Sequence, residues 1–114
     1  MFEAARGAVI ARRYLASRRR RCELFASALF SDPAWDMLLD LFAARAEGRR
    51  ISVSSACIAS GVATSTALRW VTQLEADGLV KRRPDPRDGR RTFLEISVDA
   101  AESVERWLNA TFVQ

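Results

Sequence analysis

The chain has 114 residues, 49% apolar and 28% charged, which fits one folded domain with a modest core and excludes wholesale disorder. Its formal net charge is +4, and 17 of its 18 basic residues are arginine, a side chain that forks onto phosphate or carboxylate. The absence of histidine removes the usual general base near neutral pH and the commonest zinc ligand, and Cys22 and Cys57 stand alone without metal or disulfide spacing. Residues 3 to about 24 hold no proline and are rich in Ala, Arg and Leu, so they form a helix by propensity. Its apolar stripe is thin, running through Ala5, Val9, Ile10, Tyr14 and Leu15 from Phe2, and predicts packing along one edge only. The run Arg18 to Arg21 turns about 100° per residue, so most of its guanidinium groups are wet or paired.

Ser31-Asp32-Pro33 is a helix start, a capping oxygen followed by proline at the first helical position. The helix that follows places Trp35, Leu38, Leu39, Phe42 and Ala46 on a core-facing stripe, which Met37 and Leu41 widen toward a second neighbour, the N-terminal helix. Glu47-Gly48 ends it. Ile51-Ser52-Val53 predicts a brief strand. Ser54 is then read as the cap of a short helix over 55–60 that stops at Gly61, and Val62 and Ala63 form a turn before a helix over 64–77 closed by Gly78. On that helix Ala67, Trp70, Val71 and Leu74 are assigned to the core, and Ser65, Arg69 and Thr72 with Leu68 to the opposite face. Leu79 to Ser97 reads as two strands joined by a loop over 84–91, in which Asp85-Pro86 and Asp88-Gly89 are turn dipeptides. Ser97 or Asp99 caps a last helix with Ala101, Val104, Leu108 and Phe112, and Trp107, on its apolar face.

This order of elements is a winged helix-turn-helix, mainly α with a small β-hairpin wing. In such a fold the helix from Thr64 enters the major groove of double-stranded DNA and the wing meets the backbone or the adjacent minor groove. Thr64, Ser65 and Thr66 are short polar groups at the positive end of that helix. Arg69 can fork onto guanine and Leu68 can meet a thymine methyl. Arg87, Arg90 and Arg91 can neutralise phosphates. Codon usage in a G+C-rich genome also favours arginine, so the placement of these residues carries more weight than their number.

The stretch from Leu74 to Arg91, with weaker matches at Ser52-Val53-Ser54 and Gly61-Val62, resembles the MarR family of winged-helix transcriptional regulators. The likeness runs from about Asp32 to Ser97. It implies that Asp88 and Arg90 form the wing's acid-x-arginine pair, the arginine entering the minor groove and the acid orienting it. It also implies that Thr64, Ser65, Thr66 and Arg69 face the major groove. Departures from the family pattern are Ala56 and Ser60 in place of larger aliphatics, Ala63 in place of a capping hydroxyl, and Ile58 at a polar position.

The expected organisation is a basic helical arm over 1–30 that dimerises, a DNA-binding domain over 31–97, and a C-terminal helix over 98–114. The expected DNA-contacting residues are Ser54, Thr64, Ser65, Thr66, Leu68, Arg69, Thr72, Arg87, Asp88, Arg90 and Arg91. A homodimer is predicted from the apolar residues of the terminal helices, Phe2, Val9, Ile10 and Tyr14 with Trp107, Leu108 and Phe112. No catalytic residue, metal or cofactor is assigned, and no residue identifies a small-molecule effector. No apolar run approaches the roughly 20 residues of a membrane helix, and Met1 to Arg6 lacks signal-peptide order, so a reducing cytoplasm is the expected compartment. The competing class is a winged-helix module that binds protein without DNA, for which an apolar or acidic reading face would be the mark.

Overall fold

The computed structural model describes residues 2–25 and 31–113, with residues 2–4 given by their backbone alone. The side chain of Phe2 and residues 26–30 of the expected arm lie outside the described residues. The elements are α1 (Phe2–Phe25), α2 (Pro33–Ala46), β1 (Ile51–Ser52), α3 (Val53–Ala59), α4 (Thr64–Ala76), β2 (Val80–Pro84), β3 (Thr92–Ile96) and α5 (Val98–Phe112).

Helix α2 is the spine. Asp32 caps it by accepting the Trp35 backbone N–H at 3.3 Å, and Pro33 occupies the first turn, where a missing N–H costs nothing. From Met37 to Ala44 all its residues except Asp40 are buried, so the helix is enclosed on nearly every side.

The long helix α1 lies along α2 through only part of the stripe expected of it: Leu15 is buried, and Ile10 and Tyr14 pack against the core. Val9 is 54% exposed, and the buried line is Ala8, Ala11 and Leu15, extended by Gly7 and Arg18. Close approach of the two helices explains the difference: a Cβ on Gly7 would stand 3.1 Å from Cζ of Phe42, so the contact demands small side chains over large ones. Charges fasten the same pair. Arg12 donates to both Asp40 and Glu47 of the α2 end, and Arg18 donates to Asp36 while its guanidinium lies 5.7 Å from the Tyr14 ring centroid. Arg13, Arg19, Arg20 and Arg21 remain exposed, as a run of four arginines on a helix requires.

The sheet has the order β1-β3-β2, all antiparallel, with Ile51 opposite Leu94, Val80 opposite Ile96 and Arg82 opposite Leu94. Ile51, Val80, Leu94 and Ile96 are buried. The cap of α3 is Ser52, whose hydroxyl accepts the Ser55 N–H at 3.1 Å; the helix therefore starts two residues before the expected 55, and Ser54 lies exposed in its first turn. Ser97 caps α5, accepting from Ala100 at 3.1 Å, and the helix buries Ala100, Val104 and Leu108. The terminal helices meet within the chain: Trp107 lies 5.6 Å from Tyr14 and 5.0 Å from Trp35, and Phe112 lies 5.4 Å from Tyr14, centroid to centroid. Among the described residues no helix is long and apolar enough to cross a membrane, and no group of acidic residues and cysteines could hold a metal ion.

Candidate nucleic-acid interface

Helix α4 sets the interface. Its buried residues are Ala67, Val71 and Leu74, and Trp70, expected beside them, is 39% exposed. At 100° per residue Trp70 stands about 60° to one side of Ala67, at the border of the stripe and not within it. Thr64, Ser65, Leu68, Arg69 and Thr72 are exposed, and Thr66 is half-buried. Ala63 caps the helix without a side-chain hydrogen bond, which leaves its first-turn N–H groups without that partner.

The wing's conformation is local chemistry. The Asp85 carboxylate accepts the Arg87 N–H at 2.8 Å, and Asp88 accepts the Arg90 N–H at 3.1 Å, two Asx turns that bend the loop. Two backbone bonds close it, Asp85 N–H to Arg91 O and Arg91 N–H to Asp88 O, each at 3.0 Å. Arg90 reaches out with its side chain 95% exposed and its Nε 3.6 Å from Asp88. Asp88 thus fixes the backbone from which Arg90 projects. Arg91 takes a different course, its guanidinium lying 5.3 Å from the Phe93 ring centroid, which Arg50 also approaches at 5.3 Å.

The start of α3 and the root of the wing enclose an open cleft of about 470 Å³ that brings Ser54 together with Asp88, Arg90 and Arg91. Arg82 of β2 also lines it. This residue is absent from the sequence-based set, yet it joins the two halves of the interface. Its Nε donates to Glu75 at 3.3 Å and its Nη2 to the Thr72 hydroxyl at 3.4 Å, across the turn from β2 to α4. Thr72 in turn donates to the Leu68 carbonyl at 3.0 Å, so its hydroxyl is already engaged. The sequence marks Arg82 by its charge and its place in the stretch from Leu74 to Arg91, but not its partners, which lie seven and ten residues away.

Behind α4, Cys57 is 3% exposed, and burial pushes its thiol above the usual range against an opposing pull from the Arg82 charge. It is a small core residue that stays protonated.

Exposed threonine, serine and arginine on a helix, flanked by a wing that presents arginine from Asx turns, form a surface suited to a polyanion. Residues 49–92, which run from the loop before β1 to the start of β3, match the model of the MarR family. This helix-turn-helix and wing are similar to those of the MarR family. The MarR-type fold extends beyond that segment. The DNA complex of MepR from S. aureus superposes with a TM-score of 0.60 at 18% identity, over 83% of this chain and 73% of that one. Apo MarR from E. coli gives 0.58 at 14% identity, over 93% and 73%. PcaV from Streptomyces coelicolor, bound to its natural ligand, gives 0.56 at 25% identity, over 88% and 67%. No curated protein matches in sequence. Ala63, one of the departures from the family pattern, carries no side-chain bond at its cap.

Proposed function

We propose that this chain is a transcriptional regulator that binds double-stranded DNA in a sequence-specific way, with α4 in the major groove and the wing at the minor groove and backbone. The observation that carries the reading is the projection of Arg90, 95% exposed and based on the Asp88 turn, beside the exposed row Ser65, Arg69 and Leu68. That MepR, which shares the fold, was crystallised on DNA supports it. Arg69 reads a base edge, Arg87, Arg90 and Arg91 neutralise phosphates or enter the narrow groove, and Ser54, Thr64, Ser65 and Thr66 position the helix. Arg82 holds the wing to α4 and adds charge to the cleft. The unit acts as a homodimer through α1 and α5, which sets two reading helices about 34 Å apart on a pseudo-palindromic site.

Genome-wide footprinting of the tagged protein tests the reading directly. The expected outcome is a small set of protected sites with two-fold symmetry near promoters. Uniform low occupancy with no shared motif would leave a protein-binding module as the better account.

A further inference from the structure

We infer that Trp70 is a DNA-contacting residue, packing its indole on the deoxyribose wall of the major groove and donating its Nε1–H to a backbone phosphate. The inference rests on the proposed docking of α4. Three observations lead to it. Trp70 is 39% exposed on the helix that carries Arg69, and it lines a shallow cleft of about 320 Å³ with Thr66, Arg69 and Gln73. Its indole N–H finds no acceptor among the described residues; Trp35 donates to the Tyr14 hydroxyl at 3.4 Å, and Trp107, whose N–H also has none there, packs its ring in the aromatic cluster, whereas the Trp70 ring makes no such contact among the described residues. The other flank of α4 is already engaged, by Arg82 on Thr72 and Glu75.

Groove dimensions turn these facts into a contact. A helix with its side chains is about 10–12 Å across and the major groove about 12 Å wide, so the outermost face meets base edges and the flanks meet the walls. Arg69 lies farthest from the buried stripe of Ala67, Val71 and Leu74, which makes it the base reader; Trp70, one step round, is aimed at a wall. An indole suits that wall, with a flat apolar face for the sugar and one donor for a phosphate oxygen. Being neutral, it adds affinity without releasing a counterion.

The test uses the full chain and a fluorescein-labelled duplex enriched from a random 30-base-pair library. Adding duplex to the wild-type protein is expected to quench tryptophan emission, and Trp70→Phe, which keeps Trp35 and Trp107, is expected to bind with that quenching gone. Trp70→Ala should weaken binding about tenfold while leaving the slope of log affinity against log salt unchanged. Quenching that persists in Trp70→Phe, or wild-type affinity in a folded Trp70→Ala protein, overturns the inference and leaves the docking of α4 intact. If Trp70→Ala does not fold, the Trp70→Phe quenching result decides alone. A wild-type chain that enriches no duplex overturns the DNA-binding reading and this inference with it.

Discussion

Arg82 on β2 donates to Glu75 on α4 at 3.3 Å, so the strand that leads into the wing is tied to the side of α4. The pair is about two-fifths exposed, and an ion pair of that kind contributes only about 0.2–1 kcal/mol to folding. Its value lies in the angle it fixes between α4 and the wing, the two elements proposed to meet DNA. A double-mutant cycle of Arg82→Ala and Glu75→Ala is expected to show a coupling within that range for urea unfolding. The single Arg82→Ala variant should lose several-fold more DNA affinity than stability alone accounts for. Equal effects of Arg82→Ala and Glu75→Ala on DNA binding would reduce Arg82 to a structural role.

Base reading and phosphate neutralisation are expected to separate by variant. If about six phosphates are neutralised, the slope of log affinity against log salt should be near −5. Arg90→Ala should weaken binding to every sequence and lower the magnitude of that slope by about 0.9. Arg69→Ala should instead relax base preference at one position, at a cost of roughly 1–3 kcal/mol of discrimination. Site selection on both variants checks the split, and an unchanged motif for Arg69→Ala removes it from the reading set.

Much of the fold was legible because it is specified locally. Asp32-Pro33, the α2 stripe, Gly78 and the Asx turns of the wing each act within a few residues, and all appear where the sequence places them. What was not legible depends on a neighbour. Hydrophobicity selects Val9 over Ala8 and Ala11, but the close approach of α1 to α2, seen where Gly7 meets Phe42, favours small residues on the buried line. The i, i+3, i+4 spacing puts Trp70 on the core face, yet the stripe of Ala67, Val71 and Leu74 is already complete beside it. Ser54 lost the cap to Ser52 because β1 ends one residue earlier than its apolar pattern indicates.

Acid sensitivity should arise at the junction of α1 and α2. The Arg12 guanidinium donates to Glu47 at 2.8 Å and holds its carboxyl below the ordinary 4.5, a hydrogen bond outweighing the opposing effect of burial. A carboxyl depressed in the folded state contributes stability that is complete above its unfolded value and is lost as pH falls through the folded one. Urea unfolding between pH 7 and pH 3 is therefore expected to show a shallower acid loss in Glu47→Gln than in the wild type. Parallel curves would place the acid-labile contact elsewhere.

Gly7 offers a test of close helix packing. In an open helix, glycine to alanine gains about 1 kcal/mol. Here the new methyl would meet Phe42 at 3.1 and 3.3 Å, and Phe42 is itself buried and has little room to yield. Overpacking of this kind costs about 1–3 kcal/mol, so Gly7→Ala should destabilise the wild type. In a Phe42→Leu background the same change should stabilise. A thermal unfolding cycle reads the reversal, and the same sign in both backgrounds would show that the ring moves aside freely.

The terminal helices give the prediction on assembly. They cover part of each other within one chain, through Tyr14, Trp107 and Phe112, which by itself would permit a monomer on a single half-site. Yet Val9 remains 54% exposed, Trp107 38% and Phe112 47%, which leaves large apolar side chains on both helices in contact with water. A second copy related by a two-fold axis can cover both at once, since the same patch serves each partner. Light scattering at micromolar concentration is thus expected to give twice the 12.7 kDa of one chain. Deleting α1 is a poor test, because Ala8, Ala11 and Leu15 belong to the core. Val9→Glu with Phe112→Glu places the charges on the exposed residues instead, and should yield a folded monomer that protects half of the operator. A monomeric wild type removes the dimer, and a double variant that stays dimeric moves the interface away from these helices.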